Sequence, residues 1–428
     1  MVDGSLPFLI FSDSRGKIYS HPYLRMAVFD VGRLQVPTED ELIALPAGSK
    51  IFYLPGRIPA GFNPKTCGFE TVSSFRGKPA FAVAAFLIPA YLRLHHPAAS
   101  LRQTCLPAGR VQNLPLWAYT AAGFYGGKFY AAAMRIDPRV RQSPRFYESR
   151  AVKKAVRSFL NKYPDNRLYR HLANCALNYN CLAAKNLFLR RWEAPLPTAR
   201  ACNAGCLGCL SLQEDTCISA SHQRIAFWPA AEEIAQVMIE HLKIAREPIV
   251  SFGQGCEGEP LLHADTIAGA VALARKETFR GTINMNTNAS LPKKVELLCK
   301  AGMDSFRVSL SSPDEKNYNI YFRPRGYKFC DVLRSIAAAK KHKKFVSINL
   351  FVFPGFTDSP SEVKALIDFV GQHKIDMIQW RNLNIDPDYY WERLGKIGGD
   401  CIGIKNLVEL VRRRFPRLKM GYFNLALD

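Results

Sequence analysis

From about residue 196 onward, short apolar runs of strand character alternate with stretches whose apolar positions recur at helical spacing, the signature of β/α units on a parallel sheet. A predicted helix carries Ile234, Val237, Met238, His241 and Leu242 on one face and leads to the strand Pro248–Phe252. A helix near 264–278 leads to Thr282–Asn286. A helix over 291–301, capped by Gly302, leads to Ser305–Leu310. A helix near 328–342 precedes Phe345–Val352. The next helix opens at Ser359 with Pro360 in its first turn and Glu362 placed for a capping box, carries Val363, Leu366, Ile367 and Val370, and feeds Asp376–Trp380. A last helix is expected over roughly 402–414. With the strand before residue 200, the pattern predicts an α/β fold, a partial (β/α)6 TIM-like barrel, with ligands at the carboxyl ends of its strands.

The first 150 residues read differently. Extended runs such as Ser49–Leu54 and Ala80–Phe86 are punctuated by Pro and Gly, which predicts a small β-rich domain. Leu101–Val111 looks like an insertion, and Cys105 within it is given no role. Helical patterns from 151 to 189 bridge to the barrel. The expected division is thus 1–150 for a β-rich domain, 151–195 for a helical linker and 196–428 for the barrel.

Composition narrows the class. A chain of 428 residues with 48% hydrophobic and 22% charged positions suits a globular protein with a sizeable core, and excludes a disordered one. No apolar run is long enough to span a bilayer, and Met1–Ser5 lacks the basic start of a secretory leader, so the cytoplasm is the expected compartment. There, twelve cysteines argue for reduced thiols and metal or cluster ligation. Against 36 acidic residues stand 58 basic ones, a net charge of +22 that leaves a nucleic-acid partner open; the charges are dispersed apart from short runs at 340–344 and 412–414.

The chemistry concentrates in Cys202, Cys206 and Cys209, spaced C-x3-C-x2-C. Three thiolates so placed can hold three irons of a [4Fe-4S] cube and leave the fourth iron open to a small ligand bearing an amine and a carboxylate. On spacing alone, a zinc site completed by Cys217 or a histidine is the competing reading. A second motif follows the second strand: Gly253–Pro260 ends in Gly258, Glu259 and Pro260.

Together these features resemble the radical S-adenosylmethionine (radical SAM) superfamily over about residues 196–385, less than half of the chain. The resemblance implies that Cys202, Cys206 and Cys209 bind the [4Fe-4S] cluster. S-adenosylmethionine would chelate the open iron, and its reductive cleavage would yield a 5′-deoxyadenosyl radical that abstracts hydrogen from a substrate the sequence leaves unassigned. It implies a low-potential donor, flavodoxin or ferredoxin. Glu259, flanked by Gly258 and Pro260, corresponds to the acidic residue of the family's Gly-Gly-Glu-Pro turn, which accepts the methionine ammonium; Glu257 stands where that turn has its first glycine. Many members carry an aromatic residue before the third cysteine, where this chain has Gly208. Asn286 and Asn288, then Ser309 and Ser311, occupy strand ends expected to meet the cofactor. Gln379 lies on the strand expected to pass near the adenine, and Arg323 and Arg325 are candidates for the cofactor carboxylate.

Cys175, Cys181, Cys217 and Cys256 form a candidate auxiliary iron-sulfur site. The plainer alternative makes Cys175 a small apolar residue on a helix. The polar run from Gln379 to Pro387, with Arg381 and Asn382, contacts substrate or satisfies loop carbonyls; Tyr389–Trp391 is a lid or packs the final helix. Only Cys401 lies beyond residue 330, so the chain lacks the cysteine-rich C-terminal extension of many peptide-modifying members. The rival functions are modification of RNA, and a zinc- or cluster-bearing nucleic-acid-binding protein that never cleaves the cofactor.

Overall fold

A computed structural model describes residues 6–30, 32–101, 113–214, 218–395 and 400–427. Its second half is built on one all-parallel sheet, β1 (Arg191–Pro195), β2 (Arg246–Phe252), β3 (Thr282–Thr287), β4 (Ser305–Leu310), β5 (Phe345–Val352), β6 (Met377–Asn382) and β7 (Lys419–Gly421), each strand pairing with the next in chain order. Sequential parallel order follows from helical crossovers that cover one face. The sheet therefore holds a seventh strand, short and late, beyond the six units that the apolar pattern predicts. Its ends, β1 and β7, are not paired with each other, which leaves a curled half-barrel.

Three helices precede β1: α1 (Ser149–Lys162), α2 (Arg167–Leu177) and α3 (Leu182–Phe188). The crossovers are α4 (Ala231–Ile244), α5 (Ala264–Glu277), α6 (Pro292–Ala301), α7 (Glu315–Phe322) with α8 (Phe329–Lys341), α9 (Pro360–His373), and α10 (Pro387–Leu394) with α11 (Ile404–Arg414). Ile234, Val237, Met238, His241 and Leu242 of α4 are all buried, as the helical spacing requires. Gly302 ends α6 in the left-handed conformation at φ 112°. The capping box expected at α9 does not form, because the Ser359 side chain caps nothing. Glu362 turns inward instead and accepts from Ser312 Oγ (2.9 Å) and Asn317 Nδ2 (2.7 Å).

Between Phe8 and Arg135 the described residues form an antiparallel β structure. Lys50–Tyr53 pairs with Phe81–Phe86, so both extended runs read from the sequence are strands. This β region packs onto the C-terminal edge of the half-barrel. Arg93, fully buried, donates to the carbonyls of Val352 (3.4 Å) and Leu383 (3.1 Å), and its N–H donates to Asn382 Oδ1 (2.9 Å). Arg57 forms a buried pair with Asp386 (2.8 Å) and also reaches Asp388 (3.0 Å) at the start of α10. Past β7 the chain crosses the barrel interior, where Asn424 Nδ2 donates to Glu193 (2.7 Å) on β1. Among the described residues no helix is long and apolar enough to cross a membrane.

Candidate functional site

Parallel strands deliver their carboxyl ends, and the loops that follow them, to one rim. There a cavity of about 390 Å³ is lined by Cys202, Cys206 and Cys209 from the loop after β1, by Gly258, Glu259 and Pro260 from the loop after β2, and by Asn286 and Ser309 from β3 and β4. Asn288 also lines it. Ser311, Arg323 and Gln379 lie off the lining. Ser311 is buried with an unpartnered hydroxyl. Arg323 ends α7 in a left-handed conformation, and Arg325 pairs with Glu214. Gln379 is buried beneath the cavity, where it accepts from Arg307 Nη1 (2.9 Å) and donates to Asn424 Oδ1 (2.7 Å).

The cysteine loop is held by main-chain bonds on both sides. Gly205 N–H donates to the Phe322 carbonyl (3.0 Å), Leu207 N–H to Tyr321 (3.0 Å) and Arg325 N–H to Asn203 (2.9 Å), which lays the loop along the end of α7. On the other side Gly258 N–H donates to Ala199 (2.6 Å) and Glu259 N–H to Ala201 (2.9 Å). A β-carbon on residue 258 would lie 1.9 Å from the Ala201 carbonyl oxygen, so only glycine lets the two loops approach this closely.

Glu257, the departure from the familiar turn, is consumed by backbone. One oxygen accepts from the N–H groups of Gly253 (2.6 Å) and Gln254 (2.9 Å), the other from Thr198 (2.7 Å) and Ala199 (3.1 Å). It ties the loop after β2 to the entry of the cysteine loop. Glu259 accepts from Thr287 Oγ1 (2.5 Å), Leu261 N–H (3.0 Å) and Asn288 N–H (2.8 Å), which fixes its carboxylate against the cavity. Burial raises both carboxyls to about 7, and a cation arriving in the cavity would restore the charge on Glu259.

Gly208 is also explained. A β-carbon there would lie 2.9 Å from the Tyr321 hydroxyl and 3.0 Å from the Asn384 carbonyl, so Tyr321 already fills the space beside the third cysteine. Tyr321, Phe322 and Phe351 give the cavity an aromatic wall. Two arginines complete it: Arg307 on β4 and Arg381 on β6, each with a buried Nε that has no partner. Arg307 escaped the sequence reading. Its signal was alternation, since Arg307 and Ser309 occupy the same face of β4.

The donor set suits a cluster. All three cysteines are free thiols, and burial raises the Cys202 thiol to about 11 and holds Cys206 well above its usual range, so ionisation there needs a bound metal to compensate it. Cys209 has a cationic neighbour, Arg224 Nη2 at 3.8 Å. Of the auxiliary candidates, Cys217 lies outside the described residues. Cys175 and Cys256 come together with His171, which the sequence reading had not singled out, their ligand atoms lying within 4.8 Å of one another. Cys181 begins α3, its N–H donating to the Cys175 carbonyl (2.9 Å).

Comparison with known proteins agrees with this geometry. Residues 196–370 match the model of the radical SAM superfamily. No curated protein matches the chain. Similar solved structures include anSMEcpe with bound AdoMet (17% identity over 53% of this chain and 63% of that one, TM-score 0.39). Streptococcus suis SuiB bound to the precursor peptide SuiA is similar at 17% identity over 60% and 52% (TM-score 0.38). The FeFe-hydrogenase maturase HydG from Carboxydothermus hydrogenoformans is similar at 14% identity over 63% and 69% (TM-score 0.37). The chain thus spans between half and two thirds of the first two. Likenesses this loose leave the family match to describe the domain: residues 196–370 match the radical SAM superfamily.

Proposed function

We propose that the protein is a radical SAM enzyme whose site is the cavity shared by Cys202, Cys206, Cys209 and Glu259; that shared cavity carries the reading. Held by these cysteines, a reduced [4Fe-4S] cluster with S-adenosylmethionine would supply the one-electron reductive chemistry that generates a hydrogen-abstracting radical. The three cysteines hold the cluster, on a loop that two sets of backbone bonds keep in register with Glu259. Glu259 would accept hydrogen bonds from the ammonium of the cofactor, and the bonds it accepts from Thr287 and Asn288 hold the carboxylate in place for that contact. Asn286 and Ser309 supply polar contacts, and the rings of Tyr321, Phe322 and Phe351 flank the adenosine. Arg307 and Arg381 present donors to a carboxylate on the far wall. The N-terminal β region roofs this rim through Arg57 and Arg93. The electron comes from a low-potential flavodoxin or ferredoxin, and the substrate is a molecule small enough, or a segment slender enough, to enter the cavity.

The test is anaerobic reconstitution of the full chain with iron and sulfide, followed by dithionite and S-adenosylmethionine. 5′-Deoxyadenosine should form with the parent and vanish in Cys206→Ala. A parent that binds iron and sulfide but releases no 5′-deoxyadenosine would overturn the proposal.

A further inference from the structure

Outside the cavity, one constellation is built from metal-ligating side chains. His171 and Cys175 stand four residues apart on α2, so one helix face presents both. Cys256 comes from the loop after β2 and meets them there, and the three ligand atoms lie within 4.8 Å of one another. Cys175 Sγ is 3.6 Å from His171 Nε2. Cys175 and Cys256 are buried, and both are free thiols. Beside them His222 carries a buried Nδ1 with no hydrogen-bond partner, close enough for its charge to act on Cys175. The segment holding His222 is itself fastened to this place: His222 N–H donates to the Leu210 carbonyl (2.9 Å), and Ile225 N–H to that of Cys256 (2.8 Å).

Spacing decides which metal group fits. With metal–sulfur bonds near 2.3 Å and metal–nitrogen bonds near 2.0 Å, a tetrahedral ion separates a thiolate from an imidazole nitrogen by roughly 3.5 Å and two thiolates by roughly 3.8 Å. The 3.6 Å between Cys175 and His171 is such an edge. A [4Fe-4S] cube binds each ligand to a different iron and a [2Fe-2S] cluster binds no more than two to one iron, so neither would draw three donors within 4.8 Å of one another. Among the described residues no other set of three His, Cys, Asp or Glu ligands draws this close, the Cys202, Cys206 and Cys209 trio included. The chain thus holds two thiolate-bearing sites of different size: a wide one at the cavity and a tight one behind it.

We propose that His171, Cys175 and Cys256, with His222 as the fourth donor, form a mononuclear site for a zinc-class divalent ion. This site replaces the auxiliary cluster expected from the cysteines alone, since two of its donors are imidazoles and Cys181 is not among them. The ion clamps α2 and the 218–228 segment to the loop that ends in Glu259. Both cysteines bind it as thiolates. The clamp is separate from the radical chemistry: it fails or stands without regard to whether 5′-deoxyadenosine is formed.

The experiment is metal analysis and zinc-edge X-ray absorption on the full chain purified without added zinc, beside two variants. The parent should hold about one zinc per chain, with two sulfur neighbours near 2.3 Å and two lighter ones. Cys175→Ser with Cys256→Ser should lower bound zinc at least about tenfold while iron at the cluster is kept. The variant Cys202→Ala, Cys206→Ala, Cys209→Ala should do the reverse and keep the zinc. The parent spectrum needs no variant to fold. Zinc absent from the parent, three or more sulfurs around it, zinc lost with the cluster cysteines, or iron and sulfide lost in place of zinc from the Cys175 and Cys256 variant would each overturn the site.

Discussion

Replacing Glu257 tests how the two loops of the site are held together. Its carboxylate accepts from four backbone N–H groups, those of Thr198 and Ala199, which are buried, and of Gly253 and Gln254, which are half-buried. Orphaning a buried amide costs about 2 kcal/mol and a half-buried one about 1 kcal/mol, so Glu257→Ala forfeits roughly 6 kcal/mol gross. Part of this is returned. Burial lifts the carboxyl to about 7 from 4.5, which means that holding it ionised above pH 7 costs about 3 kcal/mol that the variant no longer bears. The net expectation is a loss of about 3 kcal/mol at pH 8, a large share of the roughly 5–15 kcal/mol by which a domain is stable. Urea unfolding of the full chain, followed by tryptophan fluorescence, reads it directly. Glu257→Gln keeps one acceptor oxygen and should fall between the parent and Glu257→Ala. The decisive variant is Glu257→Gly, which restores the Gly-Gly-Glu-Pro turn. If that chain unfolds at the parent's urea concentration, the four hydrogen bonds do not hold the loops and the reasoning is wrong.

Two further perturbations probe the frame around the site. Glu362 is buried, and burial raises its carboxyl to about 7, so between pH 4.5 and 7 the folded chain holds a proton that the unfolded chain has lost; its contribution is present in full below about 4.5 and fades as pH rises through 7, by at most about 3 kcal/mol. Glu362→Gln should flatten the stability profile over that interval, and an unchanged slope in urea titrations at successive pH values would exclude Glu362 as its source. Arg57→Ala strands Asp386, whose remaining donors are the backbone N–H groups of Leu114 and Asp388, and should cost about 3–5 kcal/mol. A loss below about 1 kcal/mol in thermal melts would mean that the N-terminal β region is held over the rim by other contacts.

What could be read from the sequence was local, and what could not was tertiary. The cysteine spacing and the Gly258, Glu259, Pro260 turn are contiguous motifs whose chemistry needs only their neighbours in the chain. The strands β2 to β6 are apolar enough to declare themselves, whereas β7 has three residues, one of them a lysine, and exists because β6 offers it an edge. Helix α7 was masked for a similar reason: its buried face is Tyr318, Tyr321 and Phe322, a spacing too short to reveal a period. The inverse error came at Ser359 and Glu362, where a local capping signal lost to burial and the glutamate was drawn to Ser312 and Asn317 instead. The same competition explains the site. Glu257 breaks the expected turn, yet its carboxylate sits where four amides of two separate loops converge, an arrangement that no window of sequence contains. His171 and Cys175 share a helix face in the sequence, but their meaning depends on Cys256, some eighty residues away on the loop after β2 and brought to them only by the fold. Motifs that bind through consecutive residues are therefore legible before folding, while sites assembled across elements become legible only when the fold closes the distance.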